Sequence, residues 1–185
     1  MSNSKQLTPH ENFIIDLKKF TAVTAVGVQA LRRQGAGVIS NIQKYLDTLD
    51  LSQTTSLRDQ DAFISWLDEV TDALVEKYTV SWGAARKAIS LFLRACFYNR
   101  YLYVEYGLDH LETWLEIPLD QVIAGQLRKE MRKKPGRGLL PSWNGLRELD
   151  KEDSEQFQQC ASQMATDEKL SRVHLDVGLW VNNRK

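Results

Sequence analysis

Two stretches of this 185-residue chain gather side chains of useful chemistry. The first runs from Arg128 to Arg137, where Arg128, Lys129, Arg132, Lys133, Lys134 and Arg137 stand against a single acid, Glu130. Cations at a helix C-terminus complement the helix dipole, so a solvated helix end is one account of them. They continue into Pro135-Gly136-Arg137-Gly138, where no dipole remains to explain them, and contact with backbone phosphates is the other account. The second stretch is a pair: Gly83-Ala84-Ala85-Arg86-Lys87-Ala88, and Ile117-Pro118-Leu119-Asp120. Small residues in the first turn of a helix let a second backbone, or a phosphate, approach the exposed N–H groups.

Other chemistries lack their residues. There is no G-x-S-x-G, no G-x-G-x-x-G after a strand and no G-x-x-x-x-G-K-[ST], which removes the nucleophile elbow, the dinucleotide fold and the phosphate loop. Cys96 and Cys160 lie in helical apolar patterns and read as buried thiols, and His10, His110 and His174 are scattered without zinc spacing. No metal or cofactor is expected.

The composition bounds the class of protein. With 24 Lys+Arg against 24 Asp+Glu, 43% hydrophobic residues, 10 Gly and 4 Pro, the chain is neither collagenous nor a charged disordered segment. A chain of this size buries about 70% of its extended surface, enough for one core without staples. We therefore expect one helical domain over 1–185, with an N-terminal helical subregion at 8–50 and a core at 57–180. No apolar run reaches the roughly 18 residues of a membrane span, and residues 1–5 lack the apolar centre of a secretory signal, so a cytoplasmic protein away from membranes is expected. Zero net charge argues against bulk-charge coating of nucleic acid and leaves room for a local basic face.

The elements that must position these residues read as helices throughout. Thr8-Pro9-His10-Glu11 has the form of an N-cap, a proline at the first position and an acid three residues on, and the apolar pattern then continues from Phe13 to Arg33. A short helix starts at Val38, Leu51 to Thr55 reads as a loop, and an amphipathic helix spans about 57–78. Ser81 offers an N-cap for a helix from Trp82 to Tyr106, closed at Gly107. On it, Lys87, Ser90, Arg94 and Tyr101 fall on one side, with Ala88, Leu91, Phe92, Ala95 and Cys96 toward the core. A short helix follows at 108–115, then one with Pro118 and Asp120 in its first turn and the basic residues at its end. Asp150 caps a helix to about Ala165. Residues 171–180 fit a helix or an edge strand, and helix is expected because no strand partner precedes them. The sum is an all-α domain of eight to ten helices.

At the paired stretches a resemblance appears. Residues 83–93 resemble the second half of the hairpin in helix-hairpin-helix DNA glycosylases, approximately G-V-G-[RT]-K-[TV]-A followed by an apolar helix. Residues 117–122 are similar to the [VI]-P-V-D segment that follows in that family. Ala85 stands where the pattern has its second glycine, and Val122 where it has histidine. The resemblance implies Lys87 as the amine that attacks the sugar and Asp120 as the carboxylate that stabilises charge. The DNA-facing set that would accompany this reading is Gly83, Arg86 and Arg94, joined by the basic edge of Arg128, Lys129, Arg132, Lys133, Lys134 and Arg137. The bland accounts are a solvated helix lysine and a first-turn acid.

Three functions therefore stand: a DNA-binding, glycosylase-like protein acting on or sensing unusual bases; a non-enzymatic subunit of a bacterial multiprotein system; or a glycosylase-like scaffold with neither catalysis nor DNA affinity, or an enzyme of another kind. The second draws on the aromatic crowding of Tyr98, Tyr101, Tyr103 and Tyr106, since aromatics are enriched in interfaces with other protein subunits.

Overall fold

Thr8 opens the first helix by a reciprocal exchange: its hydroxyl accepts from the Glu11 N–H, and the Glu11 carboxylate accepts from the Thr8 N–H at 2.6 Å. The structure, a computed structural model, describes residues 6–31, 34, 36–133 and 139–182. Among them it contains eight α-helices and two short 3-10 turns, with no strand. The helices are α1 (Pro9–Ala25), α2 (Ala36–Thr48), α3 (Gln60–Tyr78), α4 (Trp82–Tyr98), α5 (Arg100–Glu105), α6 (Gln121–Arg132), α7 (Lys151–Glu168) and α8 (Arg172–Asn182). The 3-10 turns are Leu51–Ser56 and Leu108–Leu111.

Several boundaries differ from the sequence reading, each for a local reason. The first helix stops at Ala25 instead of running to Arg33. Thr21 and Thr24 return their hydroxyls to the carbonyls of Leu17 and Phe20, and the chain turns at Gly27, whose carbonyl accepts from the Ala30 and Leu31 N–H groups. Val26 and Leu31 extend the apolar pattern because both are fully buried, although no helix joins them. Leu51 to Thr55 is no simple loop: a 3-10 turn capped by Asp50 drives Leu51 and Thr54 into the core. The long helix expected from Trp82 to Tyr106 is broken at Asn99, whose carboxamide oxygen accepts from the N–H groups of Tyr101 and Leu102 and starts α5. Tyr101 thereby leaves the side shared by Lys87 and Arg94. Residues 172–182 are helical, as expected.

The apolar residues gather into two clusters. One is built by α1 to α5 around Phe63, Phe92 and Ile89, and the other by α6, α7 and α8 around Phe157, Leu127 and Ile123. Helix α4 lies between them: every residue from Gly83 to Leu93 is buried, so this part of it has no solvated face. The 146–149 segment crosses its first turn, and a Cβ on Gly83 would stand 2.6 Å from the Leu146 carbonyl oxygen and 2.7 Å from the Leu149 Cβ. Ser81 caps nothing here; its hydroxyl donates to that same Leu146 carbonyl at 3.1 Å. The glycine at 83 is thus explained by the approach of a second backbone.

Candidate nucleic-acid interface and the Lys87–Asp120 pair

The charged residues of α4 are buried with partners. Arg86, 5% exposed, places its guanidinium on Glu116, with Nε 2.8 Å from one carboxylate oxygen and Nη2 2.9 Å from the other. Its Nη1 donates to Asp68 at 2.8 Å, and Trp82 stacks beneath it. Burial alone depresses this guanidinium, but the two carboxylates more than offset that and hold its pKa above the ordinary value. Lys151 reaches Asp68 from α7, so the network ties α3, α4 and α7 to the Glu116 segment.

Lys87 and Asp120, 33 residues apart in sequence, meet at 3.2 Å. Asp120 is the N-cap of α6 and not a residue of its first turn: one carboxylate oxygen accepts from the Val122 and Ile123 N–H groups, leaving the other for Lys87. Lys87, 7% exposed, also donates to the Ala30 carbonyl at 2.7 Å. The lysine nitrogen thus donates to a carboxylate and to a carbonyl. Beside it, between Gly83, Arg86, Lys87, Ser90, Ser154 and Gln158, remains a cavity of about 10 Å³, the space of a single water. One residue of the same helix face, Arg94, forms an ion pair with Asp176 of α8.

The basic end of α6 is arranged differently. Lys133 pairs with Glu130 at 2.5 Å, whereas Arg128, Lys129 and Arg132 make no ion pair with a described residue. Arg128 is half-buried and the other two are exposed. Lys134 and Arg137 lie outside the described residues. Beyond the loop, Trp143 sets its ring edge-on against Phe157, with centroids 5.7 Å apart at 85°, and so anchors the chain. Of the DNA-facing residues expected from the sequence, then, Gly83 and Arg86 are buried, Arg94 is half-buried in an ion pair, Arg128 is half-buried without one, and Lys129 and Arg132 face solvent.

Other features carried no signal in the sequence. Arg172 is buried with its guanidinium on the Trp114 and Leu115 carbonyls, which fastens α8 to the turn before Glu116; burial pushes its pKa down, against the pull of Glu116. His174 bridges the Tyr98 hydroxyl at 2.7 Å and Glu112 at 3.0 Å. The expected tyrosine cluster divides: Tyr98 and Tyr101 are exposed, while Tyr103 and Tyr106 pack partly against the core. Tyr101 meets Phe13 edge-on, and with Phe20 and Val104 exposed on the same two helices it leaves an apolar surface on α1 and α5. Among the described residues no group of three His, Cys, Asp or Glu could hold a metal ion, and no helix is long and apolar enough to cross a membrane.

No protein-family model, curated protein or solved structure gives a significant match to the chain.

Proposed function

We propose that the protein binds DNA, and that the C-terminal end of α6 makes the contact with the phosphate backbone. The observation that carries this reading is the contrast between its two sets of cations. Arg86, Lys87 and Arg94 are spent on Glu116, Asp120 and Asp176, while Arg128, Lys129 and Arg132 are left without carboxylates on one helix end. An unpaired cation facing water releases counterions when it meets a phosphate, and this release drives backbone binding. A cation already paired inside the protein gains little.

Fluorescence anisotropy on labelled duplex, single-stranded and abasic-site DNA tests it. Binding is expected at low salt, weakening as salt rises, and a triple Arg128→Ala, Lys129→Ala, Arg132→Ala variant is expected to lose affinity roughly tenfold or more. Absence of binding to every one of these DNAs at about 50 mM salt overturns the reading.

One observation favours a second reading, base excision by a lysine: the 3.2 Å contact of Lys87 Nζ with Asp120. In that chemistry the free amine attacks the sugar carbon, the base departs, and the resulting imine can be reduced to a stable adduct. An amine that attacks must first be released from its proton and its two acceptors, and the target base must leave its stack for a site of adequate size. Lys87 instead donates to Asp120 and the Ala30 carbonyl, beside a cavity of about 10 Å³. Borohydride trapping on abasic DNA is therefore expected to yield no adduct, and an adduct that Lys87→Ala abolishes would establish the excision reading instead.

A further inference from the structure

Beside the α6 cations a groove of about 150 Å³ is open to solvent. One wall is a single turn of α6, with Arg128, Met131 and Arg132; the other is Leu139, Leu140 and Ser142. Its volume lies between the ~30 Å³ share of one water and the roughly 300–1,000 Å³ of sites for drug-sized ligands. It has room for one planar ring system.

We propose that this groove seats a single unpaired nucleotide of DNA, with its base against Met131, Leu139 and Leu140 and its phosphate on Arg128 and Arg132. The proposal rests on the DNA-binding reading above and makes it more specific. Three observations carry it. Among the described residues neither arginine has a carboxylate partner and no carboxylate lines the groove, so an anion entering it meets two guanidinium forks. Leu139 is 83% exposed at its edge, a large apolar side chain that an incoming apolar group would cover. On the far wall Leu140 packs onto the cluster around Phe157, as does the neighbouring Trp143, which holds that part of the wall in place.

Base faces stack on guanidinium planes and apolar side chains alike, with little regard to sequence. In a perfect duplex those faces are covered by their neighbours. Only a nucleotide outside the stack can enter, so the groove would separate damaged, bulged or single-stranded DNA from intact duplex.

The test compares two fluorescein-labelled duplexes of the same sequence, one perfect and one carrying a single bulged nucleotide. The wild type is expected to prefer the bulged duplex roughly tenfold, the size of one stacking contact. Ser142→Phe fills the groove from an exposed position and keeps both arginines, and its preference is expected to fall to about one. Leu139→Ser, at a position too exposed to matter for folding, should reduce the preference by several-fold. Equal binding of the two duplexes by the wild type, or a preference that survives Ser142→Phe, overturns the nucleotide site while leaving DNA binding in place. Failure to bind either duplex removes both.

Discussion

Glu116 illustrates how one carboxylate can hold a fold together. It is 5% exposed and receives both arms of the Arg86 guanidinium, and Arg172 approaches from the other side through the carbonyls of the preceding residues. Removing one member of a buried pair leaves the other charged and uncompensated, at a cost of about 3–5 kcal/mol. Arg86 keeps Asp68 when Glu116 is removed, so Glu116→Ala is expected to lower the denaturant midpoint by the equivalent of the lower end of that range, and a near-normal midpoint would mean that Asp68 alone compensates the guanidinium. Cys96 gives a prediction about pH. Complete burial pushes its thiol well above the ordinary range, and the thiolate is the form that alkylates. Native Cys96 should therefore resist iodoacetamide at pH 8 and react only after unfolding; raising the pH to 9 should not bring it into reaction, as it would for an exposed thiol.

Asp120 has a double role at the level of the element: it caps α6 and receives Lys87. The two roles can be separated by substitution. Asp120→Asn keeps a side-chain oxygen for the Val122 and Ile123 N–H groups and gives up the charge, while Asp120→Ala gives up both. Loss of a cap costs about 1 kcal/mol, and leaving Lys87 without its carboxylate adds to it. Thermal melts are expected in the order wild type, Asp120→Asn, Asp120→Ala. If the two variants melted together, the cap would contribute nothing. The helix that Asp120 starts is also the one that ends in the free cations, so its N-terminus is fastened to α4 and its C-terminus is presented to solvent.

Over the whole molecule, 24 basic and 24 acidic residues cancel, so any affinity for DNA has to come from how charges are distributed. Arg86, Lys87, Arg94 and Arg172 lie inside or between the two apolar clusters, and the cations of α6 lie outside them. Binding through a few phosphates has a modest salt dependence, with a slope of log K against log salt near −0.9 per phosphate. Neutralising Arg128, Lys129 and Arg132 should make that slope shallower by up to about 2.7, whereas Arg94→Ala should leave it unchanged. An equal change in both variants would place the contact surface elsewhere.

The helical class was legible because its signals are local. The Thr8–Glu11 capping box, the Asp150 cap, Gly107 at a positive φ of 55° and the three-and-four spacing of Phe63, Trp66 and Leu67 each act within a turn or two of chain. The sequence also singled out Lys87, Asp120 and the 128–137 basic segment. What it could not give was which of these residues would be consumed by a partner. The partner of Arg86 stands 30 residues away, that of Lys87 stands 33 away, and Arg94 meets an acid from the last helix. An arginine that will be buried in an ion pair and one that will face water carry the same pattern along a single helix, because the difference is made by the element that packs against it. The break at Asn99 was missed for a related reason: apolar residues continue through it, and only the hydrogen bonds of its side chain show that the helix restarts. Tertiary structure alone buried α4 from Gly83 to Leu93, closed the space beside Lys87 to about 10 Å³ and left a groove of about 150 Å³ at the far end of α6. Burial is decided by non-local packing, and so is the availability of a charged side chain.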